Sequence, residues 1–96
     1  MEQSNHVDVL QLRALLHDLH AHRNDIMIRF RTLGSLWQPS FLRINKVTDS
    51  GVILADPQND KPVILSNLDF VVQFEIDTAF KQFQPNNHYD VKSNLL

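Results

Sequence analysis

Arg29 and Arg31 stand two residues apart on an alternating segment, and Arg43 and Lys46 follow on the next extended run. Planar guanidinium groups at that spacing suit phosphate or carboxylate recognition, so these four cations form a candidate anion-binding stripe. Trp37, in the loop between the two runs, is a lid over the core of so small a domain, or else an anchor for a partner or a platform for a stacked base. The same cations have a possible internal use. Residues 24–55 set them against only Asp25 and Asp49, whereas residues 56–76 set Asp56, Asp60, Asp69 and Glu75 against Lys61. If the last strand closes beside the first, Glu75 reaches an arginine. Such cross-strand pairs contribute about 0.2–1 kcal/mol each and need no ligand.

Three of the five histidines lie in His17-Asp18-Leu19-His20-Ala21-His22. Only His17 and His20 are close neighbours on a helix, and an i, i+4 pair with an intervening glutamate is missing, so the pattern assigns no metal and no cofactor. Histidines near the negative pole of a helix account for the cluster. Catalytic chemistry has little to build on. With only Gly34 and Gly51, the chain has no glycine-rich phosphate loop and no nucleophile elbow. Nine Asp against two Glu place most of the acid at turns and caps, where short side chains bond to local backbone. The reading is of a protein that is not an enzyme.

These residues must be held by a framework, and its elements are legible in the pattern. Asp8 and Gln11 match a capping box, and Val7 and Leu12 a hydrophobic staple. From that cap Val9, Leu12, Leu15, Leu16 and Leu19 recur at helical spacing, which predicts an amphipathic helix over 7–23. Leu10, Ala14 and Ala21 form a shallow second apolar strip on its back. At Ile26 the period changes to two: Ile26, Ile28 and Phe30 alternate with Met27, Arg29 and Arg31. Four more extended runs are expected, at 41–47, 52–55, 63–65 and 70–76, with a hairpin turn at Thr48-Asp49-Ser50-Gly51 and a break at residues 56–62. On the last run Phe70, Val72, Phe74 and Ile76 are expected to face inward. Residues 77–96 read as a tail in which Phe80, Phe83 and Tyr89 dock on the chain or on a neighbouring copy, with 93–96 frayed.

One helix followed by five strands in short succession resembles the layout of the Sm-like and SH3-like small β-barrels, over roughly residues 8–76. The stretches that correspond to the Sm motifs are Val47-Thr48-Asp49-Ser50-Gly51, which supplies the Asp, and Ser66-Asn67-Leu68-Asp69, where the Sm pairing of a glycine with a basic residue is missing. The resemblance implies a bent barrel carrying a nucleic-acid surface. The expected architecture is therefore α+β: one domain over 1–96, its N-terminal helix packed on a five-stranded, strongly bent antiparallel sheet or small barrel at 25–76.

Ninety-six residues, 43% of them hydrophobic and 21% charged, have the composition of one folded domain. A core this thin gains from further burial, so a homo-oligomer is expected. The formal charge of −2 gives no general attraction for nucleic acid or acidic membranes. No apolar run approaches a membrane span, the first six residues lack a signal-peptide pattern, and cysteine is absent; these point to the cytoplasm. The functional expectation is a non-catalytic binding or assembly module that self-associates, with or without a protein partner. The alternative is an Sm-like nucleic-acid or anion-binding module using Arg29, Arg31, Arg43 and Lys46, with Trp37.

Overall fold

The computed structural model describes residues 5–23, 25–77 and 87–92. Among them the chain forms seven strands and one α-helix: β1 (Asn5–Asp8), α1 (Val9–His22), β2 (Met27–Thr32), β3 (Leu42–Val47), β4 (Val52–Ala55), β5 (Pro62–Leu65), β6 (Val71–Asp77) and β7 (His88–Lys92). A 3-10 turn, Leu68–Phe70, precedes β6. The strands make one sheet in the order β1-β7-β6-β2-β3-β4-β5, antiparallel except for the parallel pair β1 and β7.

This corrects the five-stranded antiparallel sheet or small barrel. The expected contact of last strand with first is present, since β6 pairs with β2 and sets Glu75 opposite Arg29. The sheet does not end there. β7 occupies the other edge of β6 and β1 adds to β7, while β5 at the far end pairs only with β4, so the sheet is mixed and unclosed. The segment read as a docking tail thus supplies a strand, and Asn5–Asp8 supplies its partner, so that Val7 and Asp8, expected within a helix over 7–23, belong to a strand and the helix starts at Val9. Of the tail aromatics, Tyr89 stacks on Phe74 within the chain at 4.6 Å between ring centroids. Phe80, Phe83 and residues 93–96 lie outside the described residues.

Helix α1 begins as its cap dictates. The Asp8 carboxylate accepts from the Gln11 backbone N–H at 2.8 Å, and the Gln11 side chain accepts from the Asp8 N–H at 2.9 Å. Val9, Leu12, Leu16 and Leu19 are buried against Ile28, Phe30, Leu42, Ile44, Val52, Leu54, Val71, Phe74, Ile76 and Val91, which form the inner face of the sheet. Arg13 donates to the Thr48 carbonyl at 2.9 Å and ties the helix to the β3–β4 turn. At that turn Gly51 is irreplaceable: a Cβ would run into the carbonyl of Leu65 and the backbone of Ser66.

Two bulges decide which side chains face out. Between Ile44 and Lys46 the register with β4 shifts, so that Ile44 opposes Leu54 and Lys46 opposes Ile53. Strict alternation would put Arg43 and Lys46 on opposite faces; the extra residue, Asn45, turns both outward. Between Arg31 and Thr32 the register with β6 shifts as well, pairing Thr32 with Val71 and Arg31 with Gln73. The inward set on the last strand is therefore Val71, Phe74 and Ile76, and Phe70 is left 47% exposed on the 3-10 turn. Alternation read straight from the sequence misses that shift.

Candidate functional site

The outer face of the sheet, opposite α1, collects the polar residues of β2, β6 and β7. Residues directly opposite in a ladder point the same way, so the register sets Arg29 beside Glu75 and His88, and Arg31 beside Gln73 and Asp90. The Arg29 Nη2 and Nε donate to one Glu75 oxygen at 2.7 and 3.0 Å. The other Glu75 oxygen lies 3.1 Å from His88 Nδ1. Arg31 Nε donates to Gln73 Oε1 at 2.6 Å, and the Gln73 amide donates in turn to Asp90 at 3.0 Å. His88 Nε2 lies 3.3 Å from that amide and 3.4 Å from Asp90.

Aromatic rings roof this network. The Arg29 guanidinium carbon lies 5.0 Å from the centroids of both Trp37 and Phe41, so the cation is held between two π faces. Trp37 also packs at 5.8 Å from the His88 ring. Its loop is fixed from beneath: the Gln38 N–H donates to the Phe30 carbonyl at 3.0 Å, the Phe30 N–H donates to the Gln38 side chain at 3.2 Å, and Trp37 bridges to Arg31.

The electrostatics follow from these contacts. Burial alone would push Glu75 up, but hydrogen bonds from His88 and Arg29, with the positive charge of each, outweigh it and hold the carboxyl below its ordinary range. The Gln73 hydrogen bond lowers Asp90 against partial burial, helped by His88 and by His6 across β1. Every side chain in the network has its partner within the network. It is a braced, charge-balanced surface joining three strands.

The four candidate cations therefore part company. Arg29 is consumed by Glu75, the internal neutralisation the charge pattern allowed. Arg31 uses only its Nε, on an uncharged glutamine, and has no ion pair among the described residues. Arg43 lies 3.9 Å from Asp60, both well exposed, and Lys46 is exposed with no ion pair among the described residues. Trp37 is half-buried over Arg29 and His88, on the outer side of the sheet.

No family model, curated protein or solved structure matches this chain. What it does must be read from its own surfaces.

His17 and His20 are exposed on α1, and no group of three or more potential ligands that could hold a metal ion occurs among the described residues. No helix among them is long and apolar enough to cross a membrane. Sequence reasoning missed two parts of the surface. His88 and Asp90 carry the network onto β7; their alternation with Tyr89 and Val91 is a strand signal, but only two periods long. The second part is apolar. Leu33, Leu36 and Phe70 are 46%, 91% and 47% exposed at the end of the sheet where β2 leaves and β6 begins, and the Leu33 N–H donates to the Phe70 carbonyl at 2.8 Å.

Proposed function

We propose that this protein is a non-catalytic binding and assembly module that associates with a second copy of itself. One observation carries the reading: two large apolar side chains, Leu33 and Leu36, are exposed on a loop held by hydrogen bonds at both ends, and Leu33 is tied through its N–H to the carbonyl of a third, Phe70 on the 3-10 turn. Leu36 stands between the Thr32–Ser35 turn, closed by the Ser35 N–H on the Thr32 carbonyl at 3.0 Å, and the anchored residues Trp37 and Gln38. Gly34, at φ 79, makes the reversal. A clustered apolar surface is costly on a monomer and is the ordinary mark of a docking site, and fixing it in advance removes ordering entropy from association. The mutual pairing of Arg29, Glu75, Gln73, His88 and Asp90 supports the non-catalytic part of the reading. The absence of cysteine supports a reducing compartment such as the cytoplasm.

Light scattering coupled to size exclusion tests the proposal. The expected mass rises with loading concentration from that of the 11.2 kDa chain toward twice that value. A mass that stays at one chain up to the solubility limit contradicts it.

A further inference from the structure

The free edges of the sheet are poor places for two copies to meet. Asp56 donates to the Lys61 carbonyl at 3.1 Å, and the β4–β5 register then runs Ala55 with Pro62, Leu54 with Val63 and Ile53 with Ile64. Alternation along an antiparallel ladder turns the backbone groups of Lys61, Val63 and Leu65 toward β4 and those of Pro62 and Ile64 toward the open side. Proline has no N–H to offer there, so within β5 the edge presents a single donor, that of Ile64, and is blunted against strand pairing. At the other end of the sheet β1 is four residues long and runs straight into α1.

Side chains offer a better fit. Between the β2–β3 loop and the β4–β5 region lies a cleft of about 170 Å³ lined by Gln38, Pro39, Ser40, Leu42, Asp56 and Val63. An apolar cavity of about 150 Å³ accepts a molecule as large as benzene, so this cleft has room for one aliphatic side chain. Its apolar walls are Pro39, Leu42 and Val63. At its rim Asp56 has no ion pair among the described residues; one carboxylate oxygen accepts the Gln58 N–H at 2.9 Å. The 91%-exposed Leu36 stands three residues before Pro39 on the same loop. Beside it, across the bridge from Trp37, is Arg31, whose terminal nitrogens carry no hydrogen bond to another described residue. A projecting leucine near a cation without an ion pair, and a leucine-sized cleft beside an anion without one, thus lie at the same end of the sheet, where β2 ends, β3 begins and β4 passes into β5.

Resting on the proposal of self-association, we infer that the second copy seats its Leu36 in the Pro39, Leu42 and Val63 cleft of the first, with its Arg31 against Asp56, and receives the reciprocal contacts about a two-fold axis. An isologous interface requires knob and cleft on the same subunit, because each contact is made twice, and here one loop carries the knob and part of the cleft wall. The charge pair sets orientation and register while the leucine supplies the buried apolar anchor.

Four variants test this by sedimentation equilibrium: Leu36→Asp, Arg31→Glu, Asp56→Arg, and Arg31→Glu combined with Asp56→Arg. Circular dichroism and thermal melting confirm that each remains folded, as expected for an exposed leucine. Each single variant is expected to weaken dimerisation about tenfold or more, the scale of losing an interface hot spot, and the charge-swapped double variant to regain most of that loss. A wild-type dimer that is indifferent to Leu36→Asp, or single charge reversals whose combination is no better than either alone, overturns this interface while leaving self-association standing. A wild-type protein that is monomeric throughout overturns both.

Discussion

At the position of Arg29 the chain solves the problem of placing a cation on a partly buried sheet surface. Glu75 meets it from the neighbouring strand, and Trp37 and Phe41 close over it at equal distance. Removing the anion leaves the cation unpaired under two rings, so Glu75→Gln is expected to destabilise the fold by about 1–3 kcal/mol, read as a lower urea midpoint. The same group gives the acid behaviour a sign. Glu75 and Asp90 both titrate below their ordinary values of 4.5 and 3.8, so their contribution is fully present above those values and is lost as pH falls through the lowered ones. The urea midpoint of the wild-type protein is therefore expected to drop through that acid range, and that of Glu75→Gln to drop less. Equal slopes for the two proteins would show that Glu75 is not the titrating contact.

At the scale of the element, β7 is the one on which the account depends. It is fastened to β6 by three residue pairs, by the Tyr89 ring stacked on Phe74, and by the Asn87 amide donating to the Ile76 carbonyl at 2.6 Å. Tyr89→Ala is expected to cost about 1.5–3 kcal/mol, and hydrogen exchange is expected to accelerate first in β7 and in β1, which is held to the sheet through it. Uniform acceleration across all strands would refute that order. This ribbon is also where the sequence was least informative. Helix α1 and the strands β2 to β6 announce themselves through a capping box, alternation and turn residues, all of which act over a few positions. The pairing of Asn5 with Tyr89 depends on residues 84 positions apart, and no local pattern signals it. The bulges at Asn45 and beside Val71 are equally silent, because each responds to a neighbouring strand rather than to its own residues. Hence the charge complementarity of Arg29 and Glu75 was legible, while the bulge that turns Lys46 outward, the exposure of Phe70 and the recruitment of His88 were not.

For the molecule as a whole, the polar outer face and the apolar rim are distinct surfaces. The Arg29, Glu75 and His88 network holds three strands together and leaves no surplus charge where it is densest, so general attraction for polyanions is not expected of a chain with a net charge of −2. On the proposed reading, the rim at Leu33, Leu36 and Phe70 serves association, next to a cleft able to receive one of its own side chains. The measurement that bears on this most directly is a dilution series of backbone amide NMR spectra of the unmodified protein. The account predicts concentration-dependent shifts confined to residues 31–42, 56, 63 and 70, with α1 and β1 unmoved. Spectra identical at every concentration, or shifts centred on α1 instead, would contradict it.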